Sequence, residues 1–145
     1  MTYKEKTIAA CKELLKKYKR ADIDKDTYGE FRTCPLCQIY RINDRTNALV
    51  LLGYFCPGCF MASKPPSTHC RCLTFASFKK VTKAVQKYRI DIDNLPDNRA
   101  EAKIALHERG AFYEKIIPML EKIPAKYFTP SSWKFKVFDI FKKEW

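Results

Sequence analysis

Six of the seven cysteines in this chain, and one of its two histidines, lie between residues 34 and 72. No other feature of the sequence restricts the fold as strongly. Cys34-Pro-Leu-Cys37 is followed, after eighteen residues, by Cys56-Pro-Gly-Cys59. Each Cys-x-x-Cys turn aims two sulfurs at one point, and two such turns at this separation suit a tetrahedral thiolate site. Disulfides are the competing use of cysteine, but they belong to short secreted chains. This sequence opens with Met-Thr-Tyr-Lys-Glu-Lys, carries an odd seventh thiol, and has no apolar run near the roughly 18 residues of a membrane span. The spacing therefore predicts metal binding in a soluble, cytoplasmic and reducing setting. Zinc is the expected ion, although four thiolates also suit an iron–sulfur cluster and spacing alone does not separate the two. A thioredoxin-like redox pair expects one such motif within a βαβ pattern, which is not found here.

His69-Cys70-Arg71-Cys72 adds three donors ten residues beyond Cys59. The candidate ligands are thus Cys34, Cys37, Cys56, Cys59, His69, Cys70 and Cys72, more than one tetrahedral site needs and one fewer than two sites need. Several assignments remain open. Some donors are spare, or one cysteine bridges two metals, or a distant residue such as His107 completes the set. A single site built from Cys34, Cys37, one of Cys56 or Cys59, and one of Cys70 or Cys72 rivals the plain double knuckle. His69 also reads as a surface residue after Pro65-Pro66-Ser67-Thr68. Cys11 lies apart from the others on an apolar helical stripe and reads as core.

The order Cys-Pro-Leu-Cys, spacer, Cys-x-Gly-Cys and then a further cysteine before an aromatic-containing helix resembles small cysteine-rich zinc-knuckle proteins of bacteriophages and mobile elements, over residues 31–78. The resemblance implies a structural zinc in a small phage protein, which would act in the host cell cytoplasm. It names no activity.

At 145 residues with 46% apolar side chains, the chain suits one domain with a real core. It divides into a helix and connector (1–30), the metal knot (31–73) and a helical part with an aromatic-basic tail (74–145). Ile8, Cys11, Leu14, Leu15 and Tyr18 recur at steps of three and four, predicting a helix from Tyr3 to about Arg20. The apolar run from Asn47 to Phe55 predicts a strand. Ile39, Tyr40 and Ile42 are its expected antiparallel partner, across a turn at Asn43-Asp44-Arg45-Thr46. A helix from Thr74 or Ser77 to about Arg89 buries Phe78, Val81, Val85 and Tyr88. Asn98 and Glu101 resemble a capping pair opening a long helix, which Gly110 and Pro118 should kink or divide. For Ser131 to Trp145 strand and helix both fit, with a short helix from Ser132 preferred. The fold class read from the sequence is α-rich (α+β), with helices packed around a small zinc-bound two-stranded β-ribbon.

The formal net charge is +12, from 28 basic and 16 acidic side chains, and residues 65–90 carry six of the basic ones and no acid. Such a field favours acidic partners. Arg71, Lys79, Lys80, Lys83, Lys87 and Arg89 are the candidate nucleic-acid contacts, set against phosphates by the adjacent metal knot. Trp133, Phe135, Phe138 and Phe141 of the tail suit stacking on unpaired bases. Few arginines stand where base edges are read, so DNA or RNA would be held with little sequence preference. The alternative is a phage-type inhibitor, which would bind an acidic host protein (immune effector or polymerase) or sequester an anionic nucleotide signal. Catalysis is not expected. A metal ligated by four cysteines has no open position, and the sequence lacks a deaminase motif, a metalloprotease motif and a phosphate-binding glycine loop. Oligomeric state is not legible from these residues.

Overall fold

The computed structural model describes residues 1–26, 28, 34–42, 45, 46, 48, 59 and 76–129. Four α-helices account for most of them: α1 (Tyr3–Arg20), α2 (Pro35–Tyr40), α3 (Ala76–Ile90) and α4 (Leu95–Glu121). Single 3-10 turns stand at Ile92–Asn94 and Ala125–Tyr127.

α1 begins where Thr2 and Glu5 form a capping box. The Glu5 N–H donates to Thr2 Oγ1 (3.2 Å), and the Thr2 N–H donates to Glu5 Oε2 (2.7 Å). Its three-and-four periodicity buries Thr7, Ala10, Cys11, Leu14 and Tyr18 on one face. It ends at Ala21 in the left-handed region (φ 50°), with the Ala21 N–H on the Lys17 carbonyl (3.1 Å). A non-glycine residue is strained there by about 1 kcal/mol. Ala21 is nonetheless buried, so its methyl group returns part of that cost as core packing.

α4 is the central helix, and α1 and α3 pack on it along separate flanks. Both run antiparallel to it. At one end of α1, the Lys4 Nζ donates to the Glu121 carbonyl (2.7 Å). At the other, the His107 Nε2–H donates to the Lys19 carbonyl (3.1 Å). A Cβ placed on Gly110 would lie 3.4 Å from Tyr18 Cβ, in van der Waals contact, so the two helices pack closely at this point. α3 and α4 form a hairpin seamed by Lys80–Glu108 (3.2 Å) and Lys87–Glu101 (3.3 Å). The connector after α1 crosses to this hairpin, where Asp24 accepts from Tyr88 Oη (2.9 Å) and pairs with Arg99 (2.9 Å). Among the described residues no helix is long and apolar enough to cross a membrane.

The expected β-ribbon is corrected by this structure, which has only helical regular elements among the described residues. Ile39 and Tyr40, expected in a strand, lie in α2. Cys34 is extended, Pro35 supplies a preset φ in the first turn, and Leu36 and Tyr40 then fall one turn apart and are both buried. Of the expected partner strand only Ala48 is described. The tail, 131–145, lies outside the described residues. α4 also starts earlier than the Asn98/Glu101 pattern suggests. Asn94 is its N-cap, Pro96 sits in its first turn, and Asn98 is buried with its amide donating to the Asp91 carbonyl (3.3 Å). Gly110 and Pro118 do not divide it, and one helix spans 27 residues.

The centre of the core holds a charge. Arg109 is 0% exposed. Its guanidinium carbon lies 4.2 Å from the Phe112 ring, 4.9 Å from Tyr113 and 5.3 Å from Phe78. Nη1 donates to Ser77 Oγ (3.0 Å) and Nη2 to Tyr113 Oη (3.2 Å). A buried cation costs several kcal/mol unless hydrogen bonds and ring faces replace its water. Arg109→Lys keeps the charge but removes the planar group that stacks and donates at once. It should lower the unfolding free energy by about 2 kcal/mol in urea denaturation. Unchanged stability would show that stacking contributes nothing here.

Candidate metal centre and basic surface

Cys34 is the N-cap of α2 and Cys37 its third residue. Positions three apart in a helical first turn share one side, which is the disposition a two-sulfur half-site requires. The turn is closed by the Gln38 N–H on the Cys34 carbonyl (3.1 Å) and the Arg41 N–H on the Cys37 carbonyl (2.9 Å). Pro35 presets the backbone and brings no N–H of its own to satisfy. Both cysteines are half-buried, and Cys59 is buried. Cys56, His69, Cys70, Cys72 and Arg71 lie outside the described residues, and among those described no three His, Cys, Asp or Glu side chains gather closely enough to hold a metal.

α2 is held in place by α1. Leu36 and Tyr40 enter the core beside Ala10, Cys11 and Leu14. The buried Thr7 hydroxyl donates to the Tyr3 carbonyl (2.6 Å), leaving its oxygen to accept from the Tyr40 hydroxyl. Burial pushes the Tyr40 phenol up to about 12. Cys11 is 0% exposed, and its thiol is pushed up, first by burial and then by Cys34, with Arg109 opposing. The core reading of Cys11 holds, and the structure adds that this thiol stands in the electrostatic reach of the half-site. His107, considered as a distant ligand, instead lies exposed at the end of α1 on the Lys19 carbonyl.

All five described basic candidates, Lys79, Lys80, Lys83, Lys87 and Arg89, are exposed on α3. They are not equivalent. Lys80 and Lys87 face α4 and are paired with Glu108 and Glu101. Lys79 and Lys83, one turn apart, lie opposite the buried stripe of Phe78, Val81 and Val85 and have no carboxylate partner among the described residues. Arg89 is unpaired in the same sense, on the other flank. Sequence reasoning missed Arg109, and its signal was an arginine set in the apolar stripe Ala102, Leu106, Tyr113, Ile116.

Comparison with known protein families, curated proteins and solved structures finds no match to this chain.

A titration follows from the geometry of Tyr40. Its folded value lies above the ordinary value of 10.0. Between pH 10 and about 12 the unfolded chain therefore gives up this proton while the native state retains it. Stability from this group is complete below pH 10 and falls as pH rises toward 12. Tyr40→Phe should lower stability at neutral pH by about 1 kcal/mol, through the lost hydrogen bond. It should also flatten the alkaline decline by about one proton equivalent. Parallel alkaline slopes for the two proteins would refute the assignment.

Proposed function

We propose that this chain is a non-enzymatic, zinc-stabilised binding protein that holds nucleic acid against the outward face of α3. The observation that carries the reading is the pair Lys79 and Lys83. They are exposed, one turn apart and free of carboxylates among the described residues, on a helix fixed by buried Phe78, Val81, Ala84 and Val85. Two cations at that spacing meet successive phosphates. Nothing in this face reads base edges, so affinity is electrostatic and nearly indifferent to sequence.

Cys34 and Cys37 on the first turn of α2 support zinc, whose remaining ligands would come from Cys56, Cys59, His69, Cys70 and Cys72. The ion's contribution is structural. It ties α2 to the segment that leads into α3, and a site filled by thiolates offers no place for a substrate.

A second reading, a protein partner, is favoured by the tip of the α3–α4 hairpin. Ile90 and Ile92 are 68% and 74% exposed there beside Leu95, more aliphatic surface in one place than a solvated turn needs. In that reading the chain is an inhibitor that occupies its target through this tip.

Fluorescence anisotropy with a single-stranded oligonucleotide separates the two. Binding should weaken steeply between about 50 and 200 mM salt, and Lys79→Gln with Lys83→Gln should reduce the log–log salt slope by about 1.5. Undetectable binding at low salt overturns the nucleic-acid reading. Metal analysis should return about one zinc or more per chain. Cys34→Ser with Cys37→Ser should lose it, and Cys11→Ala should retain it. Zinc retained by the double variant, or an iron chromophore, would refute the structural account.

A further inference from the structure

Away from α3, a concave surface beside the end of α1 also carries positive charge in excess. The last two turns of α1, the connector after it and Pro35 at the start of α2 enclose a cleft of about 340 Å³. Its walls hold Lys16, Lys17, Arg20 and Lys25 against two carboxylates, Glu13 and Asp26, and its apolar lining is Leu14 and Pro35. Four cations against two anions leave an excess of two positive charges, and the Arg20–Asp26 pair leaves that excess on the lysines. Asp26 is already committed, since one of its oxygens accepts from Arg20 Nη2 at 2.7 Å and from Arg20 Nε at 3.1 Å. Lys17 is drawn over the Tyr28 ring, 5.0 Å from its centre. Lys16 and Lys25 keep their charge without a carboxylate partner among the described residues, and both are exposed. They belong to different elements, so they reach the cleft from two sides.

A volume of this size lies at the small end of ligand sites, suited to one nucleotide-sized group and too small for a protein segment. Lysine ammonium groups on flexible stems bind phosphate as point charges without requiring one fixed geometry. We infer that this cleft binds a nucleotide phosphate, held between Lys16 and Lys25 with Arg20 fixed beside them by Asp26. The phosphate is that of a free nucleotide or of a nucleic-acid chain. The inference rests on the nucleic-acid reading only where the chain is the source. The site is distinct from the α3 face. It adjoins the Cys34–Cys37 turn through Pro35, so a ligand there touches the metal-bearing element of the fold.

The test is calorimetric titration of the full-length protein with two probes, ATP and a 5′-phosphorylated oligothymidylate, at low salt. The parent protein should bind at least one of them. Lys16→Gln with Lys25→Gln, both at solvent-exposed positions, should weaken that binding about tenfold or more, with an unchanged melting temperature. Loss for ATP and oligonucleotide together identifies the free nucleotide as sufficient, and loss for the oligonucleotide alone identifies the chain phosphate. Lys79→Gln with Lys83→Gln should leave ATP binding unaltered. Should the Lys16/Lys25 variant bind both probes as the parent does, or should the parent bind neither, the cleft is not a phosphate site. Oligonucleotide binding lost only in the Lys79/Lys83 variant, with ATP binding unchanged in the Lys16/Lys25 variant, overturns the cleft while the α3 reading stands. Binding lost only in the Lys16/Lys25 variant keeps the cleft and overturns the α3 reading.

Discussion

A guanidinium with no exposure to water, Arg109, is the interaction on which the rest of this structure depends. An arginine cannot shed its charge on burial, so the surroundings must supply what water did. Here Ser77 and Tyr113 accept its hydrogen bonds, and Phe78, Phe112 and Tyr113 offer ring faces. Two of these residues come from α3 and two from α4, so the hairpin cannot open without stripping the cation. Tyr113 carries the constraint onward, because its ring also meets Tyr18 of α1, 5.6 Å away. One buried charge thereby fixes three helices. An apolar side chain of the same volume could fill the space without the desolvation cost.

The position of the Cys34–Cys37 turn is a consequence of the same core. α2 has only six residues and cannot stand as an isolated helix. It is held by Leu36, by Tyr40 and by the bond from Tyr40 to Thr7, so α1 decides where the two sulfurs sit. The Cys34–Cys37 turn, which in the sequence looks like part of the organising centre, is positioned by a helical scaffold.

The longer helices were legible because periodicity is informative over many residues. Ile8, Cys11, Leu14 and Tyr18 gave α1 its bounds, and Phe78, Val81 and Val85 gave α3 its buried side. α2 was not legible in this way. Six residues fall below the window in which a period of 3.6 differs from an alternation of two, and Ile39 and Tyr40 carry strand preference. The start of α4 was misjudged because Asn98 and Glu101 mimic a capping pair, while the real boundary depends on Pro96 tolerated in a first turn. Of the candidate site, Cys34, Cys37 and the α3 lysines were visible as residue types. Their inequality was not. Residues 65–90 contain no acid, yet the fold brings Glu101 and Glu108 from α4 against Lys87 and Lys80. A charge count along the chain cannot see a neutralising partner that arrives from another helix.

The left-handed Ala21 cap marks the carbonyl end of α1, and the lysine-rich cleft lies beside that end. Phosphate sites built on a helix usually use the opposite end, where the aligned peptide dipoles are positive and backbone N–H groups point outward. Here the backbone field repels an anion. Whatever attraction the cleft exerts must come from side chains alone, from ammonium groups on long rotatable stems that first offset the helix's own negative pole. Such a surface responds to charge density, within the size that its walls admit. It gives up its hold as counter-ions crowd in, and so behaves as a reversible polyelectrolyte contact and not as a lock.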